Sequence, residues 1–164
     1  MIRWLPEKPF AEQLNHTVLL YYSGLTRVAK DILQDVVRGM FLNAGEQLAV
    51  LAEIRDHAHR MFDAIQRGNW PGVQDAVARS WELNCVLDPG TAPAPVQALY
   101  ERIRPRIRAA KLLGAGGGGY MLILAKSVKD AVELRAELEA DPPNPRARFV
   151  RATLSTDGLQ VTRS

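Results

Sequence analysis

The sequence predicts an α+β fold, with a layer of helices against an antiparallel sheet. Two observations carry this. Short runs of β-branched, aliphatic and aromatic residues stand near the two ends, while stretches with apolar residues at three- and four-residue steps fill the middle. An Asp157-Gly158 pair between alternating segments marks a tight hairpin, so the strands around it run antiparallel.

Residues 1–15 hold two prolines and no period, which reads as an irregular lead-in. "HTVLLYY" (16–22) is a short buried strand that stops at Ser23-Gly24. Val28, Ile32, Leu33, Val36, Val37 and Met40 then recur on one helical face, with Thr26 as its cap. A second helix spans 45–67 through Leu48, Leu51, Ile54, Met61, Phe62 and Ile65, and ends at Gly68. A third covers 71–86 through Val73, Val77, Trp81 and Leu83. "LDPGTAPAP" (87–95) is a loop, and a fourth helix covers 95–108, shortened or kinked by Pro105. "YMLILA" (120–125) is a strand, and 127–140 a helix capped by Ser127. "DPPNP" ends that helix, "ARFVRATLS" (147–155) alternates as a strand, and "LQVTRS" (159–164) returns beside it.

A length of 164 residues suits one domain with a real core. The net charge of +3, with no concentrated basic face, argues against a nucleic-acid partner. A single cysteine, Cys85, permits no intrachain disulfide and fits a reducing, cytoplasmic setting. The N-terminus lacks the apolar stretch of a signal peptide, and "YMLILA" is too short to span a bilayer, so no membrane association is expected. His57 and His59 sit two apart, roughly 200° around a helix, and cannot share a metal. Arg102, Arg104, Arg106 and Arg108 alternate and read as a solvated helix surface.

The chemistry is concentrated in "AKLLGAGGGGYMLILAK" (110–126), where five of the six residues from Gly114 to Gly119 are glycine. Consecutive backbone N–H groups without side chains make a nest for phosphate. The run is not followed by Lys-Ser/Thr, so it is no Walker loop, and it enters a strand rather than a helix, so the dinucleotide fingerprint fails as well. A bulged strand entry where another backbone packs closely explains the composition equally well.

"KLLGAGGGGYMLIL" resembles the third signature of the GHMP kinases, Lys-x-Thr/Ser-Gly-Ala-Gly-x-Gly-Gly, from Lys111 to Gly119, with Leu113 where many members carry a hydroxyl. "LLYYSGLTR" resembles the opening of the C-terminal domain in the sugar-kinase branch. "WELNCVLDPGTAP" and "NPRARFVRATLSTDGLQVTRS" are similar to the L-fucokinase half of bacterial bifunctional fucokinase/fucose-1-phosphate guanylyltransferases, with heptose-7-phosphate kinases as near neighbours.

The resemblance implies a ferredoxin-like GHMP C-terminal domain over 16–164, a four-stranded antiparallel sheet with added helices. It implies a kinase using ATP and Mg2+ on a small-molecule sugar. Gly114, Ala115, Gly116, Gly117, Gly118 and Gly119 would shape the phosphate region. Ser23, Thr26 and Arg27, with Asp88, Gly90 and Thr91 of the "LDPGT" loop, would face the acceptor.

The family's ATP loop, Pro-x-x-x-Gly-Leu-Gly/Ser-Ser-Ser, has no counterpart here. The missing N-terminal GHMP domain, which carries that loop and the acceptor base, is therefore an expected partner, and this chain alone is expected to be inactive. A non-catalytic binding domain that kept the fold is the alternative. An RNA-binding α+β protein has only "RARFVR" in its favour.

Overall fold

The computed structural model describes residues 8–25, 37, 45–114 and 116–153. Within them α1 (Lys8–Thr17) leads into β1 (Val18–Tyr22), and α2 (Gly45–Gln66) and α3 (Trp70–Leu87) follow. A 3-10 turn (Pro89–Thr91), α4 (Ala94–Ile103) and a second 3-10 turn (Arg104–Arg106) lead to β2 (Ile107–Leu112). β3 (Tyr120–Ala125), α5 (Val128–Ala140) and β4 (Arg148–Val150) complete the described part. The predicted helix beginning at Thr26, the Asp157-Gly158 hairpin and the 159–164 strand lie outside the described residues.

The four strands form one antiparallel sheet in the order β2-β3-β1-β4. Its core follows from the two-residue period of strands. Leu19 and Tyr21 of β1, Met121 and Ile123 of β3, and Ala110 and Leu112 of β2 point to one face. There they meet Val96, Leu99 and Ile103 of α4 and Ala131, Leu134 and Leu138 of α5. Tyr21 also meets Phe149 of β4 edge-on, with ring centroids 4.7 Å apart. The intervening strand positions, Val18, Leu122, Leu124 and Ala109, pack on Ala64 of α2 and Trp70, Val73 and Val77 of α3. Trp81 of α3 reaches the first face and stacks on Tyr100 of α4.

Four expectations are corrected. Residues 8–17 form a helix rather than an irregular lead-in, and it takes His16 and Thr17 from the expected strand. The fourth helix ends at Ile103, and residues 107–112, read partly as helix, are β2, a strand paired along β3. The arginines are not simply solvated. Arg102 bonds Glu137 at 3.0 Å and Arg106 approaches Glu133 at 3.4 Å, tying the end of α4 to α5. On the last described strand, Arg148–Val150 is extended, and the residues from Arg151 to Thr153 carry no strand pairing.

Ser127 caps α5 as the sequence predicts, its Oγ accepting from the Asp130 N–H at 3.1 Å. Ser127→Ala is expected to lower stability by about 1 kcal/mol, read as a lower melting temperature, because that donor loses its partner.

Candidate functional site

The glycine run is the connection of the β2–β3 hairpin. Leu113 and Tyr120 close it, the Leu113 N–H donating to the Tyr120 carbonyl at 2.8 Å. Two other turns hold the loop that results. After β1 the chain turns at Ser23-Gly24-Leu25, where the Ser23 N–H donates to the Gly119 carbonyl at 2.8 Å and the Gly119 N–H returns to the Leu25 carbonyl at 2.9 Å. After α3 the 3-10 turn presents the Thr91 carbonyl, which accepts from the Gly117 N–H at 2.8 Å. Segments centred on residues 24, 90 and 117 are thereby brought against one another.

Within the run, glycine is required at two positions by contact with another segment's backbone. A Cβ on Gly116 would stand 2.9 Å from the Thr91 Cα and 2.7 Å from its Cγ2, and Gly116 has φ +92°. A Cβ on Gly118 would stand 2.6 Å from the Leu25 carbonyl oxygen. Backbone therefore packs on backbone from both sides, the structural role that composition allowed. The backbone N–H groups of the run divide in two. Gly117 and Gly119 direct their N–H groups into the fold, whereas those of Gly116 and Gly118 have no acceptor among the described residues. Ala115 lies outside the described residues, and Gly114 is exposed at the loop's edge.

The expected acceptor residues divide. Ser23 is 2% exposed, and its Oγ accepts from the Leu25 N–H at 3.3 Å. Asp88 caps the 3-10 turn, its Oδ1 accepting from the Gly90 N–H at 2.7 Å. Thr91 is 2% exposed, with its side chain beneath Gly116. These contacts build the turns that hold the glycine loop. Thr26 and Arg27 lie outside the described residues.

Asn144 belongs to this constellation and was read only as part of a helix stop. Its Nδ2 donates to the Ser23 carbonyl at 2.7 Å, and its Oδ1 accepts from the N–H groups of Arg146 and Ala147 at 3.0 and 3.1 Å. The Asn-Pro pair at 144–145 was the available signal, since asparagine readily bonds backbone two or three residues on.

Other reactive side chains are held by packing. Burial raises the pKa of the Cys85 thiol, which keeps it protonated near neutrality. His57 Nε2 lies 2.7 Å from the Ala76 carbonyl. A carbonyl only accepts, so that nitrogen carries the proton. Among the described residues no three His, Cys, Asp or Glu side chains gather as a metal site, and no helix is long and apolar enough to cross a membrane.

Comparison with known proteins agrees with this architecture. The chain is 46% identical over its whole length to the L-fucokinase/L-fucose-1-P guanylyltransferase of Bacteroides fragilis, and it covers 17% of that protein. It is 32% identical to the bifunctional fucokinase/GDP-fucose pyrophosphorylase of Arabidopsis thaliana, over 77% of this chain and 12% of that one. The chain thus spans less than a fifth of the length of these relatives. The crystal structure of L. major mevalonate kinase in complex with R-mevalonate superposes with a TM-score of 0.68 at 17% identity, over 81% of this chain and 41% of that one, so the fold is shared. The family model described as GHMP kinases C terminal matches residues 61–144, from the end of α2 to the loop after α5, and the chain belongs to that family.

Proposed function

We propose that this domain is the C-terminal part of an ATP-dependent sugar kinase that phosphorylates L-fucose at its C1 hydroxyl. The observation that carries the reading is the 46% identity to a fucokinase-containing relative along the entire chain. Loop geometry supports it. Among the described residues, the Gly116 and Gly118 N–H groups are loop donors left for a phosphate, on a backbone fixed from two sides. Fixed donors act without reorganising as charge shifts during phosphoryl transfer.

ATP fits this loop through its phosphates, which would meet Gly116 and Gly118, and it supplies the transferable phosphoryl group. For Mg2+ the described residues offer little, since Asp88 turns its Oδ1 to the Gly90 N–H and no three His, Cys, Asp or Glu side chains gather there. Metal ligands and the base that activates the sugar hydroxyl belong, in this reading, to an N-terminal domain elsewhere in a longer protein. The work of the present chain is to position and to exclude bulk. Bare glycine backbone lets phosphate approach, and the Ser23 and Asp88 turns hold that backbone in place. A cytoplasmic location is consistent with the lone cysteine.

The test is ADP release with ATP, Mg2+ and a panel of sugars, run on the longer protein and on the 164-residue chain. The longer protein is expected to turn over L-fucose in preference to mannose, galactose and heptose 7-phosphate, and the short chain none of them. Preference for another acceptor would overturn the substrate assignment, and turnover by the short chain would overturn the division of labour.

A further inference from the structure

On the sheet face covered by α2 and α3, a cavity of about 280 Å³ opens against β2 and β3. Its wall is apolar, with Ile54, Ala58 and Met61 from α2, Val77 and Leu83 from α3, and Leu122 from β3. One end differs. Lys111 of β2 enters it half-buried, its Nζ donating to the Ser80 Oγ at 2.6 Å. Among the described residues no carboxylate pairs with this ammonium. Burial lowers its pKa, and no neighbouring acid opposes the shift. A desolvated cation held only by a neutral hydroxyl is an incomplete arrangement. His57 also lines the cavity, but it makes no bond to Lys111: its Nε2 bonds the Ala76 carbonyl, and its Nδ1 is buried without a partner among the described residues.

An apolar wall with one positive pole complements a ligand of opposite design. We infer that this cavity binds a small apolar carboxylic acid, its hydrocarbon against Ile54, Met61, Val77 and Leu122 and its carboxylate on Lys111. Phosphates and sugars fit poorly, since they call for several converging donors, and the walls offer mostly hydrocarbon. The site uses the side chain of Lys111 on the strand that leads into the glycine loop, not the loop's own N–H groups. It therefore stands or falls separately from the kinase reading.

Octanoate and 1-octanol are the probes, titrated into the protein and followed by amide chemical shifts. Saturable octanoate binding is expected, with shifts at Ser80, Lys111 and Leu113, and at least tenfold weaker binding of octanol. Lys111→Met keeps the stem and removes the charge. It is expected to lose at least tenfold in octanoate affinity, to leave octanol unchanged, and to melt no lower than the parent, because a desolvated ammonium is gone. Ala58→Phe, at an exposed lining position, is expected to block both probes and tests the cavity should the lysine variant not fold. Equal binding of the two probes, no saturable binding at millimolar octanoate, or octanoate affinity indifferent to either substitution would overturn the assignment.

Discussion

Gly116→Val is expected to lower the stability of this domain by about 3–4 kcal/mol and to remove any phosphoryl transfer that depends on its loop. Two independent costs add. The backbone there has φ +92°, which a β-branched residue adopts only under strain. The new Cβ would also stand 2.9 Å from the Thr91 Cα, and a main-chain atom of a buried residue cannot step aside as a side-chain tip does. Relief requires the loop to lift from the 3-10 turn, which breaks the bond from Gly117 to the Thr91 carbonyl. Gly45→Ala is the control, because a Cβ there meets nothing within 4 Å. Urea denaturation of both variants, with turnover measured in the longer protein, decides the matter. Similar midpoints for the two would show that the close packing against Thr91 does not matter.

Asn144→Ala is expected to cost about 2–3 kcal/mol and to loosen the same loop from its far side. The side chain makes three hydrogen bonds, and its removal leaves the carbonyl of the buried Ser23 without its Nδ2 donor. Faster amide exchange is expected at Ser23 and Gly119, whose backbone bonds secure the glycine loop to this turn. Asn144→Asp separates shape from chemistry. It keeps the acceptor but sets an anionic oxygen against the Ser23 carbonyl, so it should be at least as damaging as alanine. An aspartate variant as stable as the parent would refute this role.

The elements that could be read from the sequence were those whose signals are local. Gly68 stops α2, Ser127 caps α5, and the short apolar run "YMLILA" is β3. β2 was illegible because "IRAAKL" has a single β-branched residue and two alanines, a composition that suits a helix. Its strand state comes from pairing with β3, a tertiary override of local preference. α1 was hidden because "KPFAEQLNHT" is short and carries a proline near its start, which suits an irregular lead-in as well as a helix. The alternating arginines misled because they straddle the end of α4. Arg102 and Arg106 then fall on the side that meets α5.

At the candidate site, the need for bare backbone was visible in the glycines themselves. Which N–H groups turn inward was not, because their acceptors, Leu25 and Thr91, are remote in sequence. Ser23, Asp88 and Thr91 lie in the turns against the loop, and the described contacts give each a part in building those turns. That distinction depends on burial and hydrogen bonding, which spacing does not encode.

The clasp around the glycine run also fixes an order of events during synthesis. Its bonds join residues 23 and 25 to 119, and 91 to 117, and the turn at Ser23 is completed from Asn144. A chain emerging from the ribosome holds the glycines long before it holds the asparagine that secures their support. Such contacts form only after distant segments have met, and that makes them slow and late. The loop proposed to meet phosphate is therefore among the last parts of this domain to acquire its shape, and a nascent chain stopped before residue 144 would carry the whole glycine run without the finished loop.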